Sequence, residues 1–334
     1  MNKIFNSFIS VFISLTISLL VIMICSGRPF ISATDFFTGV FSSSFYIGSF
    51  LNTASFLMCA GLGASFAILS GNLNLGGEGQ IYLAGFLSAI ILSWESPLPK
   101  FLQFFFALFI AILSGGISAA IPALLRRFKN SSEILTSFLV SAITIPLVDS
   151  AIAGNFRDSA RNLLATKYIN PIFRLDSIIP PSPFNISFFI ILLICIFSGL
   201  FLYKTSYGQK FCISGSSPLF ATYVGMDTKK NNFWGMCLSG MLHGLCGFFA
   251  IIGTYFTCHS GFQGGLGRNA LSCALIAKAN PFAVIPSALL LSWIFTATDR
   301  TSMINGFSFD MSGLIQGAIL LFVSAQIFFK KRKK

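Results

Sequence analysis

The chain has 334 residues, of which 54% are hydrophobic and only 10% charged, with a formal net charge of +12. A soluble domain carries about 25% charged residues, so this chain cannot cover itself with polar groups in water, and the bilayer is the solvent that fits it. Its 22 basic residues stand in short loops and at the C-terminus rather than in a stripe interleaved with aromatics, which excludes nucleic acid as a partner and makes them topology determinants.

The apolar runs extend over about 18 to 24 residues, as a helix crossing about 30 Å of hydrocarbon requires. The strands of a membrane β-barrel would instead alternate over about ten residues. The first predicted span, 4–26, follows Lys3 like the start of a signal peptide. The residues before Cys25, Val21-Ile22-Met23-Ile24, offer no small side chains for a peptidase, so a retained helix is expected. Further spans are predicted at 45–69, 77–94, 101–125, 133–152, 186–204, 233–256, 267–279, 281–298 and 312–329. The expectation is an all-α polytopic bundle of about ten spans forming a single domain over 1–334. The segment 267–279 is too short to cross comfortably and lies between a glycine-rich stretch and Pro281; such interruption marks a broken or re-entrant helix facing protein. With the N-terminus in the cytoplasm, 14 of the 22 basic residues fall inside and 8 outside, which favours cytoplasmic N- and C-termini. Arg268 and Arg300 are then placed on the outer side.

Three segments carry polar chemistry. In Ser70 to Gln80, Asn72, Asn74, Glu78 and Gln80 stand among four glycines at a membrane boundary. A carboxylate there is costly unless paired or wet, although the first turn of the next helix also favours it. The expected inner loop, 205–232, contains Ser216 or Ser217 before Pro218 and Gly225 after Tyr223. These cap, open and close a short helix, with Leu219, Phe220 and Tyr223 available for one face. A lone helix this short is marginal in water and needs a partner surface. In Gly261 to Asn269, the polar groups Gln263, Arg268 and Asn269 precede the short span; a helix start offers free N–H groups to a polar solute. The outer loop, 153–185, is proline-bearing and mixed in charge.

Other chemistry is thin. The eight cysteines show no metal-ligand spacing, and packing is their expected role. His243 stands inside a span among glycines, where a hydrogen bond to a neighbouring helix is commoner than a proton relay. No GxxxxGK[ST] occurs, so any ATP-driven motor must be another polypeptide.

In this order the segments resemble the inner-membrane permeases of bacterial ABC importers serving ribose and other simple sugars, purine nucleosides and branched-chain amino acids. Asn74-Leu-Gly-Gly-Glu-Gly-Gln80 is similar to the signature of the nucleoside and simple-sugar branch. Ser132-Glu133-Ile134, Gly215 to Gly225, Gly240 to Gly247 and Gly264 to Pro281 resemble its later motifs. Residues 138–145 lack the asparagine usual in that helix, and Cys258-His259 and Lys278 depart from the pattern.

The resemblance implies a type II ABC importer permease fold in the bacterial inner membrane. It implies a second, homologous permease subunit, a cytoplasmic ABC ATPase and an extracytoplasmic solute-binding protein as partners, with lipid around them. No cofactor is expected on this chain; ATP and Mg belong to the partner ATPase. Gly215, Pro218, Leu219, Phe220, Ala221, Tyr223 and Gly225 would couple to that ATPase. Asn72, Asn74, Glu78, Gln80, Gln263 and Asn269 are candidates for the solute pathway; no catalytic or metal-binding residue is expected. The solute class is a purine nucleoside, with simple sugars and branched-chain amino acids as alternatives. A stand-alone secondary transporter is the reading from a different class; it would need intramembrane ionisable groups for ion coupling, and His243 is the one convincing mid-span example.

Overall fold

The computed structural model describes residues 28–306 and 313–321, with short pieces at 15–16, 19–20 and 23–24. The predicted span at 4–26 falls largely, and that at 312–329 half, outside the described residues, as do Lys3 and the basic tail at 330–334.

The described elements are helical. A short α1 (Pro29–Thr38) leads into α2 (Ser44–Leu69), α3 (Gly77–Ser93), α4 (Lys100–Lys129) and α5 (Glu133–Ala153). After a long loop come α6 (Ser187–Lys204), α7 (Ser206–Ser216), the six-residue α8 (Pro218–Tyr223) and α9 (Thr228–Ala250). The last two are α10 (Leu266–Ile276) and α11 (Pro281–Asn305). Among the described residues, six helices are long and apolar enough to cross a bilayer: α2, α4, α5, α6, α9 with its π-helical extension to Tyr255, and α11. They coincide with six of the predicted spans.

Helix boundaries follow from local chemistry. Asp227 accepts from the Lys230 N–H at 2.9 Å to start α9, and Thr205 accepts from Gly208 at 3.1 Å to start α7. Asn280 accepts from Phe282 at 3.0 Å with Pro281 in the first turn of α11. Each cap satisfies a donor that the helix cannot, contributing about 1 kcal/mol. Asn130, with φ of 51°, closes α4 in the left-handed region.

Helices α2 and α9 form the centre of the bundle and are mostly buried, while α4, α5 and α6 expose most of their length. Exposed Phe101, Phe109, Phe138, Ile143, Leu147 and Phe197 on those outer helices suit a lipid contact. In hydrocarbon, apolar burial gains nothing over lipid, so close backbone packing must hold the helices together. Small residues supply it where α4 crosses α9. A side chain at Gly240 would run into the Gly115 carbonyl, and one at Gly244 into the Ala111 carbonyl.

Helices α3 and α10, which stand where spans were predicted, are shorter than a bilayer. At 1.5 Å per residue, α3, with 17 residues, reaches about 25 Å and α10, with 11 residues, about 16 Å. The predicted segment at 267–279 ends early because Lys278 and Ala279 take left-handed conformations, with φ of 52° and 57°. The long loop after α5 packs onto the chain beyond α9: Thr166 N donates to Cys258 O and Ser260 N to Leu164 O, both at 2.9 Å.

Candidate functional site

The segment between α2 and α3, residues 70–76, has no regular secondary structure and packs within the bundle. At its start, Gly71 backs onto Gly215 at the end of α7. Asn72 donates to the Asn232 carbonyl at 2.8 Å and accepts from Arg126. Arg126 also donates to the Gly71 carbonyl at 2.9 Å and pairs with Glu133 of α5 at 2.9 Å. One turn deeper, Asn74 donates to Gln80 at 2.9 Å and to Ser239 of α9 at 3.0 Å. His243 shares a 2.9 Å contact with the Gln80 side-chain oxygen, so this histidine bonds a neighbouring helix. Asn74 and Gln80 are 3% and 1% exposed; buried polar groups persist only when bonded, and these bond each other.

Helix α5 holds the same segment from its other side. The Ser137 hydroxyl accepts from the Leu75 N–H at 3.1 Å, and the Ser141 hydroxyl from the Gly79 N–H at 2.8 Å. These serines sit four residues apart, hence on one face. That spacing was the signal the sequence offered for them.

The starts of α3 and α10 converge inside the bundle. Gly267 packs directly against Gly77 and Glu78, and Arg268 Nε donates to Glu78 Oε1 at 2.7 Å. Arg268, placed by the charge count in an outer loop, is therefore paired with a residue expected at the inner end. The reason is that both connections dip inward: 70–76 from the α2 side and 257–265 from the α9 side. Gly264 and Gly265, with φ of 42° and 81°, make the turn that brings the second one back. The Arg268 side chain is 69% exposed and that of Glu78 is 19% exposed, so the pair faces open space on one flank. Gln263 and Asn269 are buried nearby in sequence, and the Gln263 side-chain oxygen has no partner.

A second polar cluster was missed by sequence reasoning. Asp149 of α5 accepts from Tyr82 of α3 and from Ser260, the latter at 2.6 Å. Beside it, His259 packs edge to face against Tyr255 and Phe262, whose rings are tilted to each other, and burial lowers the His259 pKa from its ordinary value of 6.5. Among the described residues no group of three His, Cys, Asp or Glu side chains could hold a metal ion.

The third feature is α8. Ala221 is fully buried, whereas Leu219, Phe220 and Tyr223 are 89%, 58% and 95% exposed. The helix starts at Pro218 and is followed by Gly225 at φ of 78°. It is tied to the bundle through α7: Asn231 donates to Ser214 at 2.7 Å, and Gly215 lies against the Leu69–Gly71 backbone with no room for a side chain. Of the residues expected to couple, Gly215 and Ala221 therefore anchor the element, and Leu219, Phe220 and Tyr223 project from it.

The family model for the branched-chain amino acid transport system permease component matches residues 46–324. The chain is 37% identical to the probable riboflavin import permease protein RfuC of Treponema pallidum, over 98% of this chain and 86% of that one. It is 23% identical to the guanosine ABC transporter permease protein NupP of Bacillus subtilis, over 91% and 88% of the two chains. Against the glucose ABC transporter permease protein TsgB13 of Haloferax volcanii the identity is 25%, over 88% and 80%.

Proposed function

Because this chain belongs to the branched-chain amino acid transport system permease family of ABC permeases, we propose that it forms half of the pathway of an ATP-driven importer in the bacterial inner membrane. In this reading the permease has about ten spans, cytoplasmic termini, an extracytoplasmic loop at 153–185 and a cytoplasmic loop at 205–232. The observation that carries the proposal is α8: a six-residue helix with Leu219, Phe220 and Tyr223 turned outward. Exposed apolar side chains on so marginal a helix call for a protein surface to cover them. The partner is a separate cytoplasmic ABC ATPase, which carries the nucleotide and Mg. A second permease subunit completes the pathway, and an outer binding protein delivers solute.

ATP-driven closure of the ATPases would push on α8. The movement has a contiguous route: Gly215 against Gly71, then the 70–76 segment, then the Glu78–Arg268 pair. That pair, with Asn74, Gln80, Gln263 and Asn269 behind it, is the candidate solute pathway.

For the solute we place riboflavin ahead of purine nucleosides and sugars. The identity to the riboflavin permease, 37%, exceeds the 23% and 25% to the guanosine and glucose permeases. A flavin and a nucleoside share a heteroaromatic ring carrying a polyhydroxy chain, so neutral hydrogen-bonding groups suit both.

The test is uptake into proteoliposomes holding this chain with its partner permease, ATPase and binding protein. ATP-dependent riboflavin uptake is expected. Guanosine uptake without riboflavin uptake would move the solute to nucleosides, and uptake by this chain alone without ATP would make it a secondary transporter.

A further inference from the structure

At the α8 end of the bundle, the C-terminus of α4 and the first turns of α9 enclose a cleft of about 190 Å³. Arg126, Arg127 and Lys229 line it together with the amides Asn72, Asn130 and Asn232 and with Phe233. No carboxylate lines it. Glu133, close by, is held by Arg126.

Arg126 is tied to its neighbours by hydrogen bonds to Asn72 and the Gly71 carbonyl. Arg127 and Lys229 stand on exposed positions and are free to approach a ligand. With Arg126 paired to Glu133, Arg127 and Lys229 converge on the cleft with no carboxylate bound to either among the described residues, an unfavourable arrangement that an anion relieves.

The depth of the cleft in the membrane says which anion. Lys129 and Arg127 end the apolar run of α4, and Lys229 and Lys230 precede that of α9; clustered cations at span ends mark the headgroup level. Phe128 is 72% exposed and Trp234 49% exposed on the two helices beside the cleft. The indole of Trp234, an apolar ring with one N–H, suits the interface between headgroups and acyl chains, and Phe128 adds apolar surface on the other helix. Exposed Leu124 and Leu125 continue the apolar surface along α4.

We infer that this cleft binds the phosphate of an anionic phospholipid headgroup, with Arg127 and Lys229 as its principal contacts and the acyl chains on the exposed face of α4. Basic pockets between helices at the cytoplasmic interface recognise headgroups in this way. The inference does not depend on which solute is carried.

Native mass spectrometry of the full-length chain in its assembled transporter tests this. The complex is extracted from membranes containing phosphatidylglycerol and phosphatidylethanolamine. The R127Q/K229Q variant is compared with an R157Q/K167Q variant, which removes equal charge from exposed positions of the other end. The expected result is retention of phosphatidylglycerol in the wild type and the R157Q/K167Q control, reduced about tenfold in R127Q/K229Q. A second arm asks whether inorganic phosphate raises the melting temperature of the delipidated complex. Phosphate stabilisation of the wild type but not of R127Q/K229Q, with lipid retention equal in both, would keep the phosphate site and make its natural ligand a soluble phosphate. Equal lipid retention with no phosphate effect, or an equal fall in the R157Q/K167Q control, would overturn the inference.

Discussion

Arg268 Nε and Glu78 Oε1 lie 2.7 Å apart across two helix starts that the sequence separates by 190 residues. The pair joins a connection that enters from the α2 side to one that enters from the α9 side. With 69% of the Arg268 side chain exposed, its contribution to stability should be small, at most about 1 kcal/mol. Its importance is then expected in transport. Glu78→Gln and Arg268→Gln should assemble normally with the ATPase, and each should lose about tenfold or more in solute uptake, at about 1.4 kcal/mol per tenfold. Uptake at the wild-type rate in Glu78→Gln would make the carboxylate a simple helix-start charge.

The Asn74–Gln80–His243–Ser239 network should behave oppositely. Each member is buried and bonded to another. Gln80→Ala strips partners from both Asn74 and His243, and a buried group left unpaired costs about 1–3 kcal/mol. A lower melting temperature of the purified complex is the expected reading, whatever happens to transport.

Close packing of α4 on α9 makes Gly240 intolerant. Gly240→Val must displace the Gly115 backbone, and overpacking of this kind costs about 1–3 kcal/mol or more. Protease protection in membranes should show misassembly of α4 and α9. Leu113→Val, on the exposed side of α4, should leave it unchanged.

For α8, Leu219→Asp with Tyr223→Asp alters only exposed side chains. Membrane insertion should stay normal, and co-purification of the ATPase should be lost. A complex that forms at wild-type yield would remove α8 from the coupling role.

The cluster around His259 should be acid-sensitive. Burial holds the His259 pKa below 6.5, so as the pH falls through about 6.5 an unfolded chain gains a proton that the folded one resists. Stability is full above that value and declines as the pH drops toward the folded pKa. The melting temperature should fall between about pH 7.5 and pH 5.5, and less so in His259→Gln.

The composition and the lengths of the apolar runs were enough to determine an all-helical membrane protein, because the bilayer leaves a helix few alternatives. The caps and turn residues around α8 were legible for a similar reason: Pro218 and Gly225 act on the backbone beside them. The motif order pointed to the family. Charge counting did not foresee the pairing of Arg268 with Glu78. It treats every cation as resident in its nearest loop, and it has no means of knowing that a loop folds inward to meet a carboxylate. Which polar residues meet was likewise decided by tertiary structure. Asn72 and Asn74 are two residues apart, yet one bonds to Arg126 of α4 and the other to Ser239 of α9. A strand would turn residues two apart to the same side; this irregular segment does not, and only the packing of the surrounding helices determines what each asparagine meets.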